Sequence, residues 1–113
     1  SLGIADSVTV LAHSAAAADA AATLIANATD LPNHRDITRT PAKTLSPDSD
    51  LGTRPVTTAV PLLTPQERAR ALQNGLSRAQ SYLSQNLIIA AHLTLQGATR
   101  SLAIPALQEP THA

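Results

Sequence analysis

The chain has 113 residues, with eight Lys plus Arg against eight Asp plus Glu, so its formal net charge is zero. That length holds one domain or part of one, and the even balance supplies no long-range field for a nucleic acid or a membrane surface. Cys, Met, Phe and Trp are absent and there is one Tyr, which excludes disulfides, thiolate nucleophiles and Cys-ligated zinc.

Hydrophobic residues make up 43% of the sequence, so Ala, Leu, Val and Ile must build a small core with Tyr82 as its only aromatic. The charged fraction of 14% is well below the usual quarter or so, as for a chain that hides surface against something else. The chain starts without Met and runs almost directly into an apolar segment. It therefore reads as the C-terminal part of a larger protein, with the upstream N-terminal half of the same domain as its first partner.

Residues 7–12, Ser-Val-Thr-Val-Leu-Ala, cluster β-branched side chains in alternation and predict a half-buried strand. Ser14 is a preferred N-cap, and the Ala-rich run 15–28 that follows predicts a helix with apolar side chains all round, hence buried on more than one side. A membrane span over 8–28 fails: Asp19 would cost about 2.5 to 3.5 kcal/mol at mid-span, and no aromatic belt or basic flank is present. A secretory signal fails as well, because Asp6 stands where positive charge belongs.

Residues 29–55 are rich in Asp, Pro, Thr, Asn and Ser without period and predict a long surface loop. A short edge strand is expected over 56–60, ending at Pro61. Thr64-Pro65-Gln66-Glu67 is a helix start with capping-box chemistry. Behind it, Ala69, Leu72, Leu76, Ala79 and Leu83 form one apolar stripe, with Arg68, Arg70, Gln73, Asn74 and Gln80 on other faces. Gly75 inside that helix costs about 1 kcal/mol relative to Ala, which points to close packing. Residues 87–104 read as a β-hairpin turning at Gln96-Gly97; a helix continuing to Leu95 is the alternative. Residues 105–113 are expected to be a disordered tail.

Asp19 and Thr23 stand one helical turn apart, where a carboxylate and a hydroxyl can converge on a hard cation such as Mg²⁺. The competing reading is local, with Thr23 bonding back to the carbonyl of Asp19. Asp48 and Asp50 lie among Pro and Ser and serve their turns. Arg35, Arg39, Lys43 and Arg54 are too dispersed for a phosphate clamp. No Gly-rich phosphate loop or nucleophile elbow is present.

The strand Ser-Val-Thr-Val followed by Ala-Ala-Ala-Asp-Ala-Ala-Ala-Thr (residues 16–23) resembles the C-terminal motif of the ApbE-type flavin transferases, where such a strand leads to a helix carrying Ala-Asp-x-x-x-Thr. Residues 3–10, 47–52 and Leu95-Gln96-Gly97 are similar to an uncharacterised protein family branch of that superfamily, with a cytoplasmic setting. The resemblance implies an α+β fold, a partial ApbE-like (T-fold-related) domain ordered strand-helix-loop-strand-helix-hairpin, with residues 1–104 as its C-terminal half. It also implies Mg²⁺-dependent transfer of FMN from FAD to a protein Thr or Ser, with Asp19 and Thr23 as metal ligands. His13, Asp6 and Ser7, near the same end of that helix, are the candidate contacts to the small-molecule nucleotide. Most FAD-contacting segments of the superfamily lie upstream of the matched motif, so this chain alone is expected to be inactive. A homo-oligomer is compatible with this reading. The other class of reading is a non-enzymatic binding or structural module with an unknown ligand.

Overall fold

The computed structural model describes residues 2–108. Their elements run β1 (Ser7–Leu11), α1 (Ala15–Ala28), β2 (Thr38–Pro41), α2 (Ala42–Leu45), β3 (Pro55–Ala59), α3 (Pro65–Ser84), β4 (Ala90–Leu95), β5 (Ala98–Ala103) and α4 (Pro105–Gln108). The class is α+β: one antiparallel sheet in the order β1-β4-β5, a second of β2 and β3, and helices packed on one face of the first.

Helix α1 starts where Ser14, in extended conformation, accepts a hydrogen bond from the Ala17 N–H at 3.1 Å. Helix α3 starts on the complete reciprocal box: Glu67 N–H donates to Thr64 Oγ1 at 3.1 Å, and Thr64 N–H donates to Glu67 Oε1 at 2.8 Å. Its far end is a Schellman closure. Asn86, with φ 62°, is left-handed; its N–H donates to the Leu83 carbonyl and that of Leu87 donates to the Tyr82 carbonyl. Asn tolerates that conformation, and the closure folds Leu87 back beside Tyr82.

The β4–β5 hairpin turns through Gln96 (φ 48°) and Gly97 (φ 85°), the two positive φ values that a type I′ turn requires. In register, Val8 faces Leu93, Val10 faces Ala91 and Leu102 faces Ala91. Side chains alternate across the sheet, so these residues point at the helices while Thr9, His92 and Ser101 line the open face. Helix α1 covers β1, α3 covers β4 and β5, and the two helices lie against each other. Ile25, Leu72, Ile88, Leu93 and Leu95 form the deepest part of the core.

The two helices touch through a glycine. Thr29, at the end of α1, is fully buried, and its hydroxyl donates to the Ile25 carbonyl at 2.9 Å while its own carbonyl accepts the Ile4 N–H. A Cβ on Gly75 of α3 would lie 1.9 Å from Thr29 Oγ1 and 2.8 Å from Leu93 Cδ2. The expected close packing at Gly75 is therefore present, and its partner is a buried hydroxyl.

Three expectations need correction. Residues 29–55 are not a structureless loop, because β2 pairs with β3 in antiparallel register and the four-residue α2 follows β2 directly. The strand escapes a periodicity reading because it has only four residues, ends in Pro41 and finds its partner across intervening turns. Arg39 fastens this small sheet to the body: Nη2 meets Asp30 Oδ1 at 2.8 Å and Nη1 reaches the Leu2 carbonyl at 3.3 Å, while Nη1 also bonds Thr57 Oγ1 within the sheet at 3.0 Å. The expected tail begins instead with helical α4; residues 109–113 lie outside the described residues. Helix α1, expected to be buried on several sides, buries only Ala21 and Ile25.

Gly75→Ala tests the helix contact. Overpacking costs about 1 to 3 kcal/mol, against about 1 kcal/mol gained in helix propensity, so the variant is expected to be less stable by up to about 2 kcal/mol in urea unfolding. In a Thr29→Ala background that cost should shrink, because the hydroxyl it strikes is gone. Additive losses would show that the clash lies elsewhere.

Candidate functional site

Of the residues singled out from the sequence, Asp19 and Thr23 lie on the exposed surface of α1. Thr23 Oγ1 donates to the Asp19 carbonyl at 3.0 Å, which is the local bond open to a helical Thr. Among the described residues no group of three or more His, Asp or Glu is placed to hold a metal. Asp19 and Thr23 offer one exposed carboxylate and one hydroxyl, and no larger set of ligating side chains stands with them among the described residues.

Asp6 and Ser7 serve the sheet. Asp6 Oδ2 accepts the Gln96 N–H at 2.7 Å, and Ser7 Oγ lies 2.7 Å from Thr94 Oγ1. Gln96 in turn accepts from Leu63 N–H at 2.9 Å and donates to the Pro61 carbonyl at 2.8 Å, so one turn residue fastens the segment that enters α3. His13 is exposed at the bend between β1 and α1. Asp19, Thr23, His13, Asp6 and Ser7 thus line none of the cavities described next.

The concave surface lies on the other side of α1, between residues 27–34 and the outer ridge of α3. A cleft of about 490 Å³ is walled by Leu31, Pro32 and His34 on one side and by Gln66, Glu67, Arg70 and Asn74 on the other. A groove of about 670 Å³ continues from it past Pro32 and Asn74 to Asp30, Arg78 and Tyr82. Gln66, Arg70, Asn74 and Arg78 recur every four residues and so stand on one ridge. Asn74 Nδ2 donates to the Asp30 carbonyl at 2.9 Å, which sets the distance between the walls.

Both acids in this surface are hydrogen-bonded within the chain, and Asp30 is also ion-paired. Asp30 pairs with Arg39. Glu67 Oε2 lies 2.6 Å from His34 Nε2, while the Asp36 N–H donates to His34 Nδ1 at 3.1 Å; the tautomer with its proton on Nε2 satisfies both contacts. The Thr64 backbone N–H holds the Glu67 carboxyl below its ordinary value of 4.5, opposed by desolvation and assisted by the hydrogen bond from His34. Arg70 and Arg78, in contrast, have no acidic partner among the described residues. These two cations, with His34 and Tyr82, are what sequence reasoning missed. Their period of four was visible, but it read as the solvated side of an amphipathic helix.

A depressed folded-state carboxyl contributes stability that is present above the unfolded pKa and is lost as pH falls through the folded one. Glu67→Gln keeps an amide that can still cap, but loses the charge. Melting temperatures should therefore place this variant below the parent at neutral pH, with the gap closing as pH falls below 4.5. A gap constant down to pH 3 (roughly the foot of the carboxylate range) would mean that the charge of Glu67 is immaterial.

No helix among the described residues is long and apolar enough to cross a membrane. No curated protein and no solved structure matches the chain. The family model described as AbpE bacteria matches residues 1–101, and this overturns the resemblance to the ApbE-type flavin transferases, because the matched family is not one of theirs. With nearly its whole length matched, the chain belongs to the AbpE bacteria family.

Proposed function

We propose that this protein is a non-enzymatic binding module whose site is the groove between residues 27–34 and α3, and that its ligand is a small anion-bearing molecule. The observation that carries the reading is the charge arrangement: Arg70 and Arg78 line the groove without acidic partners among the described residues, while Asp30 and Glu67 are each paired inside the fold. Eight residues of helix separate the two arginines, about 12 Å along the axis. Amide side chains of Gln66, Asn33 and Asn74 stand between and beside them, offering donors and acceptors to a polar ligand body. Guanidinium groups match phosphate and carboxylate geometry and stay charged at any physiological pH.

Magnesium-dependent flavin transfer rested on a family resemblance that does not hold, and no separate observation favours it. FAD with Mg²⁺ therefore enters only as one arm of the test.

The intact protein should be stabilised by pyrophosphate and by citrate but not by a neutral sugar. At tenfold excess over Kd the gain is about 1.4 kcal/mol, read as a rise in melting temperature. The effect should weaken with added NaCl, as exposed charges are screened, and should disappear in Arg70→Gln/Arg78→Gln. Stabilisation that survives in the double variant would place the anion elsewhere. Stabilisation by FAD and Mg²⁺ alone, removed by Asp19→Ala, would move the site to α1 and end this reading.

A further inference from the structure

The groove does not end at Arg78. Tyr82, one turn further along α3, lines both the polar groove and a separate apolar notch of about 210 Å³ formed by Ala17, Ala20, Ala21, Leu24, Tyr82 and Leu87. The notch follows from local chemistry. The Schellman closure at Asn86 folds Leu87 onto the last turn of α3, and the Ala side chains of α1 are too short to fill the space opposite. Leu24 and Leu87 are about half exposed, at 47% and 52%, so the walls are apolar and open to solvent.

From this juxtaposition we infer that the site takes an amphiphilic anion, with an apolar ring or short branched group in the notch against Tyr82 and its phosphate or carboxylate on Arg78. The inference rests on the anion-binding reading of the groove and adds the ligand's second half. Size supports it: a dry apolar cavity of about 150 Å³ accepts benzene, so the notch has room for one ring with little to spare. Spacing supports it too. Arg78 and Tyr82 are four residues apart, so their Cβ atoms lie about 5 to 6 Å from one another on one face. An anion joined directly to a ring, or through one or two bonds, spans that distance. Charge complementarity selects the anion, because Arg78 has no acidic partner among the described residues and Asp30, the acid in that stretch, is held by Arg39.

Phenyl phosphate, inorganic phosphate and benzyl alcohol are suitable probes on the isotope-labelled intact protein. Tyr82 is the chain's only aromatic residue, so its ring signals report on this position alone. Phenyl phosphate is expected to bind about tenfold more tightly than inorganic phosphate, consistent with partial burial of a ring at about 25 cal/mol per Å². It should also shift the Tyr82 ring together with the methyls of Leu24 and Leu87. Leu24→Ser should remove that preference and leave phosphate binding unchanged, while Arg78→Gln should weaken phenyl phosphate at least fivefold. Both positions are exposed, so the fold should survive; heteronuclear spectra of the free variants check this. Equal affinities for phenyl phosphate and phosphate, with phosphate still bound, would overturn the notch and leave the anion groove standing. No binding of either probe would overturn both. Tighter binding of benzyl alcohol than of phenyl phosphate would show an apolar site that does not use Arg78.

Discussion

Gly75 of α3 lies close against Thr29 at the end of α1, and the arrangement of the helix layer depends on it. A side chain at position 75 would strike a buried hydroxyl, so α3 can lie against the end of α1 only as glycine. Thr29 cannot swing aside, because its N–H, hydroxyl and carbonyl are all engaged, with Ile25, Ala26 and Ile4. Such a fully satisfied buried polar residue is stable where it stands and expensive to leave half-bonded. With the helices drawn together at this point, the segment after Thr29 has to pass directly over α3, and Asn74, next to Gly75, reaches the Asp30 carbonyl. The cleft and groove are the space that this crossing leaves beside α3.

Local chemistry made the regular elements legible in the sequence. Ser14 and the Thr64–Glu67 box act as caps, Gln96-Gly97 turns the final hairpin, and the alternation through β1 gives a half-buried strand. Each of these signals operates over a few residues, and each is decided by backbone hydrogen bonds that the sequence states directly. β2 was hidden because its stability comes from β3 and from Arg39, which reaches Asp30, Thr57 and the backbone of Leu2 and Leu31 together. Nothing within Thr38–Pro41 announces those partners.

The groove was illegible for a related reason. A period of four on α3 tells which side chains share a ridge, but not what faces the ridge. The facing wall comes from residues 27–34, placed there by the Thr29 contact and by the His34–Glu67 pair. The Asp19–Thr23 pair was legible as a local bond: one turn of helix brings the Thr23 hydroxyl onto the Asp19 carbonyl, as the spacing allows. Spacing establishes proximity; it does not by itself say whether a further ligand joins the pair.

Glu67 connects the two scales. As the N3 residue of α3 it completes the cap on Thr64, and its second oxygen holds His34, so the same carboxylate starts the helix and fastens the opposite wall. Its negative charge therefore lies in the cleft without being available there. Glu67 stands one turn from Arg70, but with its oxygens hydrogen-bonded to Thr64 and His34 it makes no ion pair with that arginine. Asp30 and Arg39 repeat the pattern at the other end of the groove, where Arg78 is left open. On a chain with no net charge, a locally cationic surface depends on where the fold places its acids and on which partners hold them. The groove's sign is therefore a product of the fold, which is why composition gave no hint of it.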